Sequence, residues 1–422
     1  MSTRAYEVTD SVELLLRGGL YLLVASIPFE YPDRTIPLEI PTLTGAVFLL
    51  TTLFHPQRCY GTVPAATLWF GVYLLAFLVS TIIAGEHASD AILEFIVVLQ
   101  GVLIMLAAGN LMRDSRVATG AMVTLVAACV IRASLPLLGL ARTTSSVWTG
   151  GERVSALGQN ANSAAMILAA GMVVLVGLTY GRHRRSWWGL VFASGFAAVI
   201  GYAVLETGSR GGLVALLGGM LVFALAAEST RARLRNAVIG SIAMSLLVFG
   251  ALQLPVMKNR WEDSMRTGNM AGREQLYPAL WNMFREKPVF GWGPVSNQYE
   301  LAVRIGERER SARAAHNIVL ELLTATGLIG TIPFLIGGWL CLRQAWHARR
   351  SGHGVLPLAF FGSVFLSNMS GDWIAGKLIW LMLAVAVASA GWSGVIAPHR
   401  PFRSSRAALV PVPVAQSSRW GD

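Results

Sequence analysis

His316 lies in AHNIVLELLTATGLIG (315–330), where a polar run meets a long apolar one. At the start of a helix, unpaired backbone N–H groups and a partial positive charge favour an anion and a neutral imidazole. A neutral imidazole can take the proton of a hydroxyl group. The same ring could instead anchor a helix at the level of lipid headgroups. Arg210, in SRGGLVALLGG (209–219), is followed by two glycines that allow close backbone approach. A guanidinium beside such N–H groups clamps phosphate, although an arginine there can also snorkel to headgroups. Arg273, in MAGREQLY (270–277), opens an amphipathic stretch and reads alone as a solvated surface residue. Asn160 and Asn162, in GQNANSAAM, stand where helix capping would explain one of the two. Asp372, in SNMSGDW, could cap a helix or orient a base, and Asn317 follows His316 directly. Arg132 is the one arginine well inside an apolar run, which makes it a functional candidate by default. Its distance from the outer face places it second to the others.

What positions these residues is a membrane scaffold. The chain has 422 residues, of which 54% are hydrophobic and 14% charged, and its mean hydropathy is +0.55. That is far more apolar than a soluble chain. We expect an all-α polytopic membrane protein. A spanning helix needs about 20 mostly apolar residues, and twelve segments qualify: near 14–30, 36–54, 64–84, 91–110, 117–140, 161–181, 187–206, 209–227, 236–255, 316–342, 355–371 and 373–394. Placing the N-terminus in the cytoplasm puts Arg58, Arg113, Arg116, Arg182, Arg184, Arg185, Arg231, Arg233, Arg235, Arg343, Arg349 and Arg350 in cytoplasmic connections. The Lys/Arg bias of short loops sets orientation, so both termini are expected inside. The N-terminal stretch has acidic residues before its apolar run and no small-residue cleavage site, and reads as a retained first span.

The organisation expected is nine spans over 1–255, a large outer loop over 256–315, three spans over 316–396 and a disordered cytoplasmic tail over 397–422. Long loops are exempt from the charge bias. Within this one, LYPALWNMF (276–284) carries a helical apolar stripe, with Pro278 expected in the first turn. PVFGWGPVSNQY (288–299) reads as a tight turn near the membrane surface, and ELAVRIGERERSARAA (300–315) as a second, more charged helix.

Cys59, Cys129 and Cys341 are scattered, without metal spacing, and read as small apolar helix residues. The outer loop holds no DxD, HExxH or histidine cluster, so neither a catalytic divalent metal nor a cofactor is indicated. The formal net charge of +11 falls largely in membrane-flanking loops, and nucleic acid is not an expected partner. The spans lack the carboxylate and lysine chain of a proton-coupled transporter.

The set SRGG, an arginine opening the long loop, GWGPVSNQY and AHNIVLELLTATGLIG, in that order and sidedness, resembles the O-antigen ligase/polymerase superfamily. GQNAN resembles its Asn-x-Asn element, with Ala161 where many relatives have proline. The resemblance covers roughly 158–330 and the twelve-span layout. It implies an enzyme of the bacterial inner membrane, with a periplasmic active site, that moves a glycan from an undecaprenyl-diphosphate carrier without metal or cofactor. Arg210 and Arg273 match the family's functional arginines and His316 its essential histidine. Asp372 falls, in a looser motif, where ligases have an acidic residue. The expected reaction is an inverting transfer of O-antigen to lipid A–core, with membrane lipids as surroundings. One large outer loop counts against a polymerase, and the lack of a soluble domain after the last span counts against a protein O-oligosaccharyltransferase. Both alternatives use the same donor. A transporter of lipid-linked glycans would instead need charges spread through the spans.

Overall fold

The computed structural model describes residues 2–30, 39–145, 152–156, 159–180, 187–227, 229–268, 272–307, 312–351, 353–371 and 373–393. Sixteen α-helices run in chain order: α1 (Ser2–Ser26), α2 (Ile40–Thr52), α3 (Pro56–Tyr60), α4 (Ala65–Ala84), α5 (Ala88–Leu111), α6 (Ser115–Ser134), α7 (Ala161–Tyr180) and α8 (Trp187–Glu206), then α9 (Arg210–Leu225), α10 (Thr230–Gln253), α11 (Pro255–Thr267), α12 (Arg273–Glu286), α13 (Ser296–Arg304), α14 (Ile318–Ala348), α15 (Leu356–Asn368) and α16 (Lys377–Ser389). Each of the twelve apolar segments coincides with one of these helices. Eight are long and apolar enough to cross a membrane, and α2, α9, α15 and α16 are shorter apolar helices. The chain is a multi-pass helical membrane protein.

Inside a bilayer, apolar burial does not drive helices together, and close packing at small residues does much of that work. α7 is the most buried of the long spans, and it packs on α6, α8, α9 and α15. α14 lies mainly against α4, with α16, α15 and α12 beside it. α10 is the opposite case. Almost none of it is buried, and its apolar side chains Leu234, Ile239, Ile242, Leu246 and Phe249 face outward, as lipid contact requires.

α14 is broken. Gly327 leaves the helical conformation at φ 60° and ψ −159°. Such a break strands backbone groups that a bilayer interior cannot satisfy. The loop before α13 supplies the partners: Trp292 and Gly293 donate to the carbonyls of Thr324 (2.7 Å) and Ala325 (3.0 Å), while Leu328 and Ile329 donate to Pro288 (2.9 Å) and Val289 (3.3 Å). A side chain at Gly327 would run into the Val289 carbonyl, and one at Gly291 into those of Thr324 and Ala325. GWGPVS therefore does more than turn the chain. It splints the first half of α14, which begins beside His316.

One element went unread and two local expectations need correction. The connection between α6 and α7 forms an antiparallel hairpin, Ala141–Ser145 with Glu152–Ala156, paired Thr143 to Val154. Five-residue strands in a polar linker were too short to stand out by alternation. Pro278 sits inside α12 rather than in its first turn. The amide it lacks would have reached only the carbonyl of Glu274, and its ring is exposed, so the helix tolerates it. The charged helix starts earlier than expected, at Ser296, and ends at Arg304, with Gly306 at φ 76° in the turn that follows.

Candidate active site

Four helix beginnings meet at one end of the bundle, around the turn that ends α15. At α9, the Ser209 side chain caps the helix by accepting from the Gly212 amide (3.2 Å). The two glycines after Arg210 pack closely. A Cβ at Gly211 would overlap Ser370 Oγ, and one at Gly212 would overlap Ala165 of α7. Arg210 therefore stands, half-buried, on a backbone pressed against the Met369–Ser370 turn.

At α7, the two asparagines divide their work. Asn160 Oδ1 accepts from the Asn162 amide (2.9 Å), which is ordinary capping. Asn162 Oδ1 instead accepts from Ser209 Oγ (3.0 Å), tying the start of α7 to the start of α9. The cap accounts for one asparagine and the cross-link for the other.

Arg273 opens α12 after Gly272, whose left-handed φ of 81° suits glycine. Its guanidinium donates to the Ser370 carbonyl (3.1 Å), and among the described residues its buried Nε has no hydrogen-bond partner. A carbonyl holds the fork in place without neutralising it. One turn on, Tyr277 Oη donates to the carbonyls of His316 (3.3 Å) and Met369 (3.4 Å).

His316 precedes α14 in a left-handed conformation, φ 51°, which histidine adopts more readily than most residues. Asn317 is the cap: its Oδ1 accepts from Val319 (3.0 Å) and Leu320 (3.1 Å), and its Nδ2 donates to Met369 (3.4 Å). Below it, buried Glu321 accepts from Asn297 of α13 (2.9 Å). The outer elements are clamped by Arg304, which makes a bidentate pair with Glu286 at the end of α12 (2.7 and 2.6 Å) and also donates to Glu300 (2.7 Å). These Arg304 bonds hold the Glu286 carboxyl below the usual range.

Arg210, Arg273, His316, Asn317, Asn160 and Asn162 are thus all tied, directly or through one neighbour, to the same end of the bundle. Asp372 lies outside the described residues, next to this turn in sequence. Arg132 reaches the start of α7 through Gln159, the neighbour of Asn160. It is buried in the last turn of α6 and donates to Gln159 (3.0 and 2.6 Å), whose amide donates to the Glu30 carbonyl. The Glu30 carboxylate in turn accepts from the Lys377 amide at the start of α16 (3.0 and 3.2 Å). Among the described residues, no group of three His, Cys, Asp or Glu side chains is arranged to hold a metal.

Sequence reasoning missed Tyr277 and the Met369–Ser370 turn. Tyr277 was readable, since it follows Arg273 by four residues and so shares its helix face. The turn gave no signal, because it takes part through two backbone carbonyls.

No curated protein matches the chain. Residues 195–335, from α8 through the first part of α14, match the family model described as O-antigen ligase, which supports the chain's place in the O-antigen ligase/polymerase superfamily.

Proposed function

We propose that this protein is an O-antigen ligase of the bacterial inner membrane. It moves O-antigen polysaccharide from undecaprenyl diphosphate to a sugar hydroxyl of lipid A–core at the periplasmic face, with both termini in the cytoplasm. The observation that carries this reading is the gathering of Arg210 and Arg273 against the Ser370 turn, beside the helix start that bears His316. A diphosphate leaving group needs positive charge where negative charge develops. Helix starts and a guanidinium held by a carbonyl provide it in place before the reaction begins.

In the mechanism, Arg210 and Arg273 hold the diphosphate of the donor. His316 accepts the proton of the acceptor hydroxyl as its oxygen forms a bond to the anomeric carbon. The bond from that carbon to the phosphate oxygen breaks on the opposite side, releasing undecaprenyl diphosphate and inverting the centre. Asn162 and Asn317 are positioning residues, fixing the starts of α9 and α14 relative to the turn. Asp372 is a candidate for orienting His316. The reaction needs no metal, because the arginines carry the charge.

The test is to incubate the purified protein, in excess chelator, with carrier-linked glycan and either lipid A–core or a second carrier-linked repeat. Product on lipid A–core is expected. A lengthened carrier-linked chain would make it a polymerase instead, and activity restored only by added magnesium or manganese would overturn the two-arginine account.

A further inference from the structure

A cleft of about 870 Å³ opens between the link joining α4 to α5 and one face of α13. Ser296, Tyr299, Glu300 and Val303 line it at helical spacing from α13, and Glu86 and His87 line it from the opposite wall. The volume suits a multi-ring ligand.

Its walls are fixed rather than loose. Ser296 Oγ donates to the Glu86 carbonyl (2.8 Å), and the His87 ring stacks on Tyr299 at 3.9 Å between centroids. His87, which lines the cleft, and Val295, which precedes the lining residue Ser296, hold positive φ values of 52° and 67°. For a β-branched residue this is a strained conformation, of the kind that collects at ligand clamps. Lys287 lies 3.7 Å from the centre of the Trp292 ring and forms no ion pair among the described residues.

We infer that this cleft is a saccharide subsite, taking a neutral or amino-substituted stretch of a glycan chain while His316 works on the other side of α13. The reading rests on the transfer reaction proposed above. Three features set the ligand class. Ring faces and edges suit the C–H surface of sugars. Carboxylates and an ammonium suit hydroxyl groups, as acceptors and donor respectively. Arg304 pairs with Glu300 (2.7 Å), which leaves Glu86 against Lys287, a balance that gives a phosphate or an anionic headgroup no net positive charge. The position fits as well: the opposite face of α13 is tied to the first half of α14 by Asn297, through Glu321 and Thr324 (2.9 and 3.2 Å).

Either glycan could occupy the cleft, the incoming polysaccharide or the acceptor core, and the test separates them. The probes are O-antigen chain released from its carrier and core oligosaccharide released from lipid A. Each is titrated against wild-type protein, Lys287→Ala and His87→Asn. Both residues are exposed, and asparagine tolerates the left-handed backbone of His87. One probe should bind about tenfold more weakly to each variant, a loss of about 1.4 kcal/mol. KM for the substrate bearing that chain should rise by a similar factor while kcat holds within about twofold. Folded variants that bind both probes as wild type does would overturn the subsite. So would a kcat loss without a KM change, or binding competed away by phosphatidylglycerol vesicles. A wild-type protein that binds a probe through the cleft yet transfers nothing would leave the subsite standing and remove the ligase reading. Active transfer untouched by the cleft variants would do the reverse.

Discussion

The two ends of the bundle use arginine in opposite ways. At the end where α1 begins and α5 meets α6, Arg58 makes a two-pronged pair with Glu13 (2.8 and 3.1 Å). Arg17 bonds to Glu13 as well and lies 3.7 Å from Asp114. At the other end, Arg273 is held by a neutral carbonyl, with a buried Nε unpartnered among the described residues. A guanidinium facing a carboxylate has already spent its charge on structure. One facing a carbonyl is oriented while, among the described residues, its charge stays unmatched; the unpartnered Nε does not itself divide the two ends, since Arg17 Nε is buried without a partner as well. The contrast separates a fastening from a candidate binding site without reference to any relative.

The largest expected effect breaks the contrast at its sharper side. Arg273→Ala should lower the transfer rate by about 10²–10³-fold, the usual loss for one donor aimed at developing negative charge, and should weaken donor binding too. Arg273→Lys should recover only part of this, since an ammonium keeps charge but not the fork. Arg58→Ala, assayed alongside, should change transfer by less than about threefold, because half-exposed pairs contribute about 0.2–1 kcal/mol. Equal losses in both would erase the distinction.

Gly211→Val comes next. Its side chain would collide with Ser370 Oγ and push α9 from the turn. Overpacking of this kind destabilises by about 1–3 kcal/mol, so we expect both a lower melting temperature and weaker carrier-diphosphate binding. Gly18→Val, at a site with open space around it, should change neither property measurably.

Smaller effects should follow at Asn317 and Tyr277. Asn317→Ala removes a cap worth about 1 kcal/mol, and Asn317→Asp should restore most of that stability. Tyr277→Phe deletes one hydroxyl proton shared between two carbonyls, at 3.3 and 3.4 Å, for about 0.5–1.5 kcal/mol. Its signature should be a fall in turnover of about tenfold or less with donor affinity unchanged, measured as kcat beside equilibrium binding.

Much of this architecture is legible in the sequence because a bilayer enforces it. A spanning helix must be apolar along its length, so each of the twelve apolar segments could be placed on a helix, eight of them long enough to cross a membrane. Local chemistry exposed the helix starts as well: Ser209, Asn160 and Asn317 are capping residues ahead of apolar runs. What stayed hidden depends on tertiary contact. The break at Gly327 is visible only once the 288–293 loop is seen filling it. The role of Ser370 passes through a carbonyl, which every residue carries. Arg132 shows a signal that only tertiary contact qualifies. An arginine in an apolar run invites a functional reading, yet its buried bonds to Gln159 link the end of α6 to the approach to α7.

The central claim is a division of labour, with Arg210 and Arg273 holding the donor and His316 serving the acceptor hydroxyl. Its most direct test is His316→Asn, a substitution that asparagine's tolerance of positive φ makes compatible with the backbone at 51°. Carrier-diphosphate binding and single-turnover transfer are measured on the same purified, folded protein. The account predicts donor affinity within about threefold of wild type and transfer slowed by about 10²–10⁴-fold, the range for losing a general base. A folded His316→Asn protein that transfers glycan at the wild-type rate would contradict it, and would leave the imidazole as an anchor for α14.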